Sequence, residues 1–471
     1  MTTNATIAEV ARDVADGLVS SASLVADATA RIAAHDRQGA SLGAVITMNP
    51  QAMDDAEALD RERLRSGVRG PLHGVPIVIK DNIDVLGLPT TSGCIALAKA
   101  MPRCDAVQTA RLRKAGAIIL AKTNMSEFSF EIRSRSSIAG DVRNPFDTAV
   151  SAGGSSGGVA AAIAAGFAYG GLGTDTGGSI RTPASYNGLI GLRPTFGLLD
   201  LGGVAPLAPS ADTIGPLGRS VADVAIMMAA MTGLNYAPPA TSIDAIRGRR
   251  IGILRQAFGA SDEIAKACED ALERLASAGL AIVDPVILPE AVLPTCPTDL
   301  VDYEFPNAFD AYLRSGFEGG IPSSLEEIVA SGAHLVDYHD VLRRRLRVPL
   351  DRAPYERLLA WRDALADAVK LLMALHRLDA LVYPTSAVVP TSLDNPRGGW
   401  APEIAAYIGA PALTLPAGFS SGGIPIGIEL LGHRQDDAGL MAIAAAVEAV
   451  LHFNHSPTSA QSQVEVEPNA D

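Results

Sequence analysis

The chain has 471 residues, with 52 acidic and 38 basic side chains and a formal net charge of -14. Apolar residues make up 48% and charged residues 19%, a balance that excludes an intrinsically disordered protein. The acidity argues against a nucleic-acid-binding surface, because phosphate binding needs clustered positive charge, and the length requires several domains or one large α/β domain.

Helical and β patterns alternate along the first half of the chain. Three helices open the sequence, because apolar residues recur there at helical spacing after small polar residues. The β-branched run 74–82, which ends in the polar residues Lys80, Asp81 and Asn82, indicates a buried strand. The predicted helices cover 7–18, 24–35, 51–65, 105–115, 156–166 and 220–232, and further strands are predicted at 117–121 and 169–173.

The same alternation continues in the second half. Strands are predicted at 250–254, 281–288, 379–383, 412–415 and 424–431, and helices at 263–278, 354–376 and 437–451. Such alternation implies an α/β sheet that is covered by helices on both faces. No linker rich in Pro, Gly and Ser divides the chain into independent domains, and the polar segment after residue 455 is expected to lack order.

Cysteine and histidine patterns indicate neither a disulfide framework nor a metal site. The four cysteines are scattered, and neither Cys-x-x-Cys nor His-Glu-x-x-His occurs. The N-terminus lacks a basic and apolar signal sequence, and the most apolar run, 156–172, is too short to cross a bilayer. These features predict a cytoplasmic protein with reduced thiols, no bound metal and no membrane segment.

Two glycine-rich runs, 153–158 and 173–181, each contain Gly-Gly-Ser and each adjoin a predicted regular element. Glycine lets backbone approach a ligand closely, so these runs predict a functional site. A phosphate-binding loop is excluded because no Lys follows either run. The segment from Gly153 to Gly157 matches the G-x-S-x-G elbow of α/β-hydrolases, for which His433 would be an available base.

A serine activated by a lysine is the other interpretation of these runs. A neutral Lys amine can take the proton of a Ser hydroxyl, and burial favours the neutral form of Lys. Lys80 ends an apolar strand and is therefore a candidate base. The pattern equally allows a structural role, in which Lys80 forms an ion pair with Asp81 or Asp84 at the strand end.

The motifs together resemble the amidase signature family. The runs that carry the resemblance are Gly74-Val75-Pro76 with Lys80-Asp81-Asn82, Lys122-Thr123-Asn124-Met125-Ser126-Glu127, both glycine-rich runs, Asp212-Thr213-Ile214-Gly215-Pro216 and Gly427-Ile428-Glu429-Leu430-Leu431-Gly432. The resemblance covers nearly the whole chain and is weakest from about 235 to 375. It implies a large mixed, twisted β-sheet with helices on both faces. The implied single domain, 1–455, comprises a helical segment (1–66), a catalytic core (67–235), a variable substrate-pocket region (236–378) and C-terminal core strands (379–455), followed by a polar tail (456–471).

The resemblance also implies the roles of individual residues. Ser179 would be the nucleophile, Ser155, preceded by a cis peptide bond, would relay its proton, and Lys80 would be the final base. No cofactor is implied. The implied oxyanion hole comprises Thr176, Gly177, Gly178 and Ser179; the implied supporting residues are Ser156, Asp175 and Arg181; and the implied acyl pocket comprises Met125, Ser126, Glu127, Phe128, Ser129 and Phe130.

The family also includes the A subunit of the tRNA-dependent amidotransferase, which supplies ammonia from glutamine. An Asp-x-Tyr-Thr stretch before an Asn-Leu-Ala-Gly-Leu-Pro-like segment is expected in that protein. Residues 405–411 here read Ala-Ala-Tyr-Ile-Gly-Ala-Pro, which favours a stand-alone amidase. A binding module without activity is disfavoured because the three catalytic positions are intact.

The substrate is expected to be a small-molecule amide, and a homodimer is the expected assembly, without nucleic acid or membrane partners. Eight aromatic residues lie between 303 and 361, and they either pack helix on helix or face the site. If several face the site, aryl or aliphatic amides, anilides, esters or carbamates would fit. Arg343, Arg344, Arg345 and Arg347 either form a solvated helix face or bind a carboxylate.

Overall fold

The computed structural model describes residues 5–234, 236, 243–293, 300–349, 351–390, 392–393, 403–453 and 457. Apart from Pro457, the polar tail expected at 456–471 lies outside the described residues. Thirteen strands occur in the described part of the chain: β1 (Val45–Met48), β2 (Pro76–Lys80), β3 (Ile118–Thr123), β4 (Arg135–Ser136), β5 (Gly140–Asp141), β6 (Gly170–Asp175), β7 (Ile190–Arg193), β8 (Thr213–Gly218), β9 (Arg250–Ile253), β10 (Ala281–Val283), β11 (Ala380–Pro384), β12 (Ala412–Phe419) and β13 (Pro425–Leu431).

Eleven of these strands form one sheet, in the order β1-β3-β2-β6-β8-β7-β12-β13-β11-β9-β10, and β4 pairs separately with β5. The sheet is mixed: β2 is parallel to both β3 and β6, whereas β8 is antiparallel to β6 and β7. The α/β class and the mixed sheet expected from the sequence are thereby confirmed.

Fourteen α-helices accompany the strands in the described ranges. They are α1 (Ile7–Ala15), α2 (Ser21–His35), α3 (Ala52–Ser66), α4 (Val107–Lys114), α5 (Gly157–Ala164), α6 (Arg181–Tyr186), α7 (Val221–Thr232), α8 (Asp262–Ser277), α9 (Leu300–Gly316), α10 (Leu325–Ser331), α11 (His339–Arg345), α12 (Ala353–His376), α13 (Ile404–Ile408) and α14 (Asp437–Leu451). Across the residues described, no helix is both long enough and apolar enough to span a membrane.

Helices cover both faces because the strands bury apolar side chains on both sides. In β2, Ile77 and Ile79 join a core with residues of α1, α7, α8 and α14, whereas Val78 joins a second core with residues of α2, α3 and α5. The alternation follows from the two-residue period of a strand. Strands buried on both faces have continuous apolar sequences, which explains why β2 was recognisable.

The sequence located most regular elements to within a few residues, and the differences have local causes. The strand expected over 281–288 ends at Val283, where the chain turns into a cis Asp284–Pro285 bond. The pattern did not predict β7 or β8, because glycine and proline interrupt the apolar residues of Thr213–Gly218. Both strands lie in the centre of the sheet and are fully buried.

The topology brings the segments that contain the candidate catalytic residues together at the carboxyl ends of two neighbouring parallel strands. β2 ends at Lys80, and its parallel neighbour β6 ends at Asp175, so both strands deliver their last residues to the same edge. α5 begins at Gly157, directly after Ser155 and Ser156, and α6 begins at Arg181, directly after the turn that contains Ser179. This is the carboxyl edge of parallel strands, where ligand sites of α/β proteins form.

Candidate active site

Lys80 is fully buried and contacts two hydroxyl groups. Its Nζ lies 2.6 Å from Ser155 Oγ and 2.7 Å from Thr174 Oγ1. The ion pair with Asp81 that was considered for Lys80 is formed instead by Lys122, whose Nζ lies 3.1 Å from Asp81 Oδ1. The structure therefore separates two buried lysines, one beside a carboxylate and one beside serine and threonine.

Burial lowers the pKa of Lys80 from 10.5 to about 7, and the charges of Asp175 and Asp212 oppose part of that fall. Desolvation disfavours the ammonium form, while nearby carboxylates favour it. A lysine with a pKa near neutrality has a substantial fraction of free amine at physiological pH. Such an amine can accept a proton from the hydroxyl it contacts.

The Gly154–Ser155 peptide bond is cis, as expected. A Cβ on Gly154 would lie 2.8 Å from the backbone nitrogen of Arg133 and 2.8 Å from Ser126 Oγ, so only glycine fits there. The carbonyl of Ser155 accepts hydrogen bonds from the Ser126 amide (3.3 Å) and the Ser134 hydroxyl (3.2 Å). The serine that contacts Lys80 is thus fixed by the neighbouring loop.

Ser179 lies in the turn between β6 and α6. Its carbonyl accepts a 3.1 Å hydrogen bond from the Ser156 amide, which ties the turn to the start of α5. Ser156 Oγ donates to the Thr174 carbonyl (3.2 Å), so Ser156 joins β6 to α5. This hydroxyl makes no hydrogen bond to Lys80 or Ser155, the groups that it was expected to support. Ser155 and Ser179 therefore lie on either side of the contact between this turn and α5, although they are 24 positions apart in sequence.

The carboxylate of Asp175 organises the turn from within. It accepts hydrogen bonds from the amides of Gly178 (2.9 Å) and Ile180 (3.1 Å). Gly178 has φ of 120°, which favours glycine. The amide of Gly178, one of the four expected in the oxyanion hole, thus donates to Asp175, and the composition of the hole stays a prediction.

A buried ion network holds Asp175. The expected pairing is present, with Arg181 Nε 3.1 Å from Asp175 Oδ2, and Arg193 Nη1 lies 2.9 Å from Asp175 Oδ1. Arg181 Nη1 also lies 2.5 Å from Glu429 Oε1, which accepts the Tyr383 hydroxyl at 2.8 Å. Burial raises the pKa of Asp175, but the two arginines outweigh it and hold that pKa below its usual range.

The 125–130 segment separates into a polar and an aromatic part. Met125 is buried, and the Ser126 hydroxyl donates to the carbonyl of Glu131 (2.6 Å). Glu127 is fully buried and accepts the amides of Ser137 (2.7 Å) and Leu335 (2.8 Å), so its carboxylate fastens this segment to the 236–378 region. Desolvation raises the pKa of Glu127.

Phe128 and Phe130 pack in an aromatic cluster with residues of the variable region. Phe128 contacts Phe309 with ring centroids 5.4 Å apart, and Phe130 contacts Phe305 at 4.9 Å and Tyr338 at 5.5 Å. The expected aromatics of α9 thus pack against the segment expected to line the acyl pocket. The structure thus shows these aromatics packed on one another, and their facing the site stays a prediction.

The sequence did not single out three polar residues near Lys80. Thr174 Oγ1 contacts Lys80 and accepts the Asn82 side-chain amide at 3.0 Å, and Asn82 also reaches Ser129 Oγ at 3.5 Å. Asp212 accepts the Thr176 hydroxyl at 2.6 Å. All three lie inside the motif runs, but residue type alone gave no sign of these contacts.

Other sequence candidates lie elsewhere. His433, the base required by a G-x-S-x-G elbow, contacts the Leu378 carbonyl at 2.9 Å. Arg345 pairs with Asp302 at 2.9 Å and stacks on Phe130 at 4.2 Å, so the arginine cluster is at least partly structural. Within the described ranges, no group of three His, Cys, Asp or Glu side chains could hold a metal.

Comparisons with known proteins agree with this geometry. The Amidase family model matches residues 23–441. Mandelamide hydrolase of Pseudomonas putida is 35% identical over 444 residues, which cover 88% of this chain and 85% of that protein. The A subunit of glutamyl-tRNA(Gln) amidotransferase from Halorhodospira halophila is 34% identical over 483 residues, with 95% and 98% covered.

Among solved structures, the peptide amidase from Stenotrophomonas maltophilia superposes with a TM-score of 0.87 and 33% identity, covering 96% of this chain and 98% of its own. The family match spans the segments that place Lys80, Ser155 and Ser179. The chain belongs to the amidase signature family of enzymes, whose hydrolases act on amide C–N bonds.

Proposed function

We propose that this protein is a stand-alone amidase that hydrolyses an amide to a carboxylic acid and an amine or ammonia through Ser179, Ser155 and Lys80. The observation that carries the proposal is the 2.6 Å contact between Lys80 Nζ and Ser155 Oγ in a fully buried site. A buried amine with a pKa near 7 supplies the base that a serine nucleophile requires.

In the proposed reaction, Ser179 Oγ attacks the amide carbonyl carbon while its proton passes to Ser155, whose own proton passes to Lys80. The amides of Thr176, Gly177 and Ser179 face the developing oxyanion. The C–N bond then breaks, and the leaving nitrogen takes a proton back through the relay. Water then attacks the acyl carbon and gives a proton through Ser155 to Lys80, which returns it to Ser179 Oγ as the ester C–O bond breaks and the acid leaves.

The aromatic cluster supports amides with an apolar acyl or amine portion. Phe128 and Phe130 adjoin Ser126 and Ser129, and Ser129 connects through Asn82 and Thr174 to Lys80. Apolar and aromatic side chains with a few polar groups are typical of small-molecule sites. Aryl and aliphatic amides, anilides, esters and carbamates are therefore the substrate classes to test.

The rival function is that of the A subunit of an amidotransferase, which would release ammonia from glutamine beside partner subunits. Sequence identity does not separate the two, because the hydrolase and amidotransferase relatives are 35% and 34% identical to this chain. Residues 405–411 support the stand-alone enzyme. In the structure they contribute to α13 (Ile404–Ile408) and the turn that precedes β12.

The test is a hydrolysis panel with the purified single chain. Wild type should release product from at least one amide, anilide or carbamate. Ser179→Ala should lose at least about 10⁴-fold in kcat, whereas Ser155→Ala should lose about 10²–10³-fold. Ser315→Ala, on exposed α9 surface, is the matched control and should match wild type, since its hydroxyl only contacts its own helix.

A fluorophosphonate probe then tests the acyl-enzyme step, because it should add mass to wild type and not to Ser179→Ala. Activity that appears only with partner subunits and charged tRNA would favour the rival. An active Ser179→Ala enzyme would end the proposal. The same proposal includes a cytoplasmic homodimer that binds no nucleic acid, which fractionation, light scattering and an electrophoretic shift assay can check.

A further inference from the structure

Asp212 is a nearly buried carboxylate that precedes β8 and contacts the nucleophile turn. Its two oxygens accept four hydrogen bonds from three donors: the Thr176 hydroxyl at 2.6 Å, the Leu207 amide at 2.9 Å and the Ala208 amide at 3.1 Å to each oxygen. A carboxylate that accepts several such bonds is held firmly in place. Thr176 is therefore fixed through its side chain from outside its own loop.

The loop that carries Asp212 is anchored on the variable region. The amide and hydroxyl of Ser210 donate to Glu304 at 2.9 and 2.6 Å, and Arg362 donates to both the hydroxyl and the carbonyl of Ser210. Glu304 lies on α9 and Arg362 on α12. Asp212 thus connects the helices of the substrate-pocket region to the first residue of the proposed oxyanion turn.

The charge of Asp212 also reaches Lys80. The charged groups around Lys80 are Asp175 on β6 and Asp212, with Arg181 on α6, Arg193 on β7 and Glu304 on α9 behind them. Arg181 and Arg193 contact Asp175 directly and compensate its charge. The hydrogen bonds that hold Asp212 come from neutral donors, and Arg193 acts on its charge without a direct ion pair, whereas Asp175 is in direct contact with both arginines.

We propose that Asp212 is a positioning residue for the amidase reaction: its carboxylate fixes Thr176 in the nucleophile turn, and its negative charge acts on Lys80. This inference rests on the proposed function. Desolvation raises the pKa of Asp212, and the Thr176 hydroxyl and two backbone amides oppose that rise. Because a carboxylate favours the charged form of a nearby amine, loss of this charge makes Lys80 easier to deprotonate.

The test compares pH–rate profiles of wild type, Asp212→Asn and Thr176→Val on a substrate that wild type turns over. Asp212→Asn should lose about 10-fold to 100-fold in kcat/KM. Its acid limb should move to lower pH by about half a unit to one unit. Thr176→Val should lose kcat without moving the acid limb, and Thr176→Ser should recover most of the loss.

Asp437→Asn is the matched control. Asp437 is also a buried carboxylate that accepts a threonine hydroxyl and amide, from Thr195 at 2.6 and 2.8 Å, but it begins α14. This variant should lose stability and keep the wild-type acid limb. An acid limb that does not move in Asp212→Asn, or wild-type kcat in Thr176→Val, would overturn the inference.

The two proposals fail separately in this design. A wild-type enzyme that hydrolyses none of the amides contradicts the proposed function, whereas an active wild type with unaltered variants contradicts the role of Asp212 alone. If Asp212→Asn does not fold, the Thr176→Val and Thr176→Ser pair still decides the positioning role, because these variants keep the carboxylate.

Discussion

Replacement of Lys80 by methionine tests the electrostatic basis of the site. Methionine has a similar length and no charge, so the apolar packing of β2 is kept. The difference between the ordinary pKa of 10.5 and about 7 in the fold corresponds to about 5 kcal/mol, because one pKa unit is about 1.4 kcal/mol. That free energy is the penalty for a charged amine at this position.

The kinetic expectation follows from the position of that pKa. Wild-type kcat/KM should rise with pH through about 7 as Lys80 loses its proton. Lys80→Met should lose about 10²–10⁴-fold in kcat, and its residual activity should lack this acid limb. Lys80→Arg should be equally impaired, because a guanidinium stays protonated.

The stability expectation has a definite sign. Between pH 7 and 10.5 the unfolded chain binds a proton at Lys80 that the folded chain does not, so the Lys80 contribution to the free energy of unfolding rises with pH. Lys80→Met lacks this contribution. Wild type should therefore gain about 2.5 kcal/mol relative to Lys80→Met between pH 7.5 and 9.5, as measured by urea denaturation.

Lys122→Met is the matched control, since Lys122 is equally buried but paired with Asp81. It should lose about 3–5 kcal/mol of stability through the uncompensated carboxylate, and any remaining activity should keep the acid limb. Parallel stability curves for wild type and Lys80→Met, or an acid limb that survives in Lys80→Met, would refute the reasoning.

Three further substitutions test the packing around the site. Gly158→Ala should cost at least about 2 kcal/mol in urea denaturation, because its Cβ would lie 2.2 Å from the Asn124 carbonyl oxygen. Gly422→Ala is the control and should change stability by under about 1 kcal/mol, because its Cβ would meet only a side-chain oxygen at 3.8 Å. Equal losses of stability in the two variants would contradict the steric argument. Arg181→Met should cost about 3–5 kcal/mol, since Glu429 loses its arginine and Asp175 keeps only Arg193, and a wild-type midpoint would be evidence against the network. Ser220→Ala should lower stability by about 1 kcal/mol through loss of the capping box of α7, and an unchanged melting temperature would count against that cap.

Local pattern predicted the elements whose residues carry a local signal. α14 was located at Asp437–Leu451 and β2 was placed within 74–82, because helical periodicity and continuous β-branched burial are properties of short windows. β7 and β8 were missed despite their central position. Their burial is imposed by neighbouring strands, and the glycine in both strands and the proline in β8 weaken the strand signal.

The sequence by itself determined the α/β class, the glycine-rich runs and the candidacy of Lys80, because composition, periodicity and motif spacing are local quantities. The family resemblance implied that Ser155 passes its proton to Lys80, but only the tertiary structure decided that Lys80 also meets Thr174 while Lys122 takes the carboxylate. The same holds for the pairing of Arg181 with Glu429, which lie 248 residues apart. Such contacts depend on which strands become neighbours, and the desolvation that lowers the pKa of Lys80 exists only once the sheet and both helical layers enclose it.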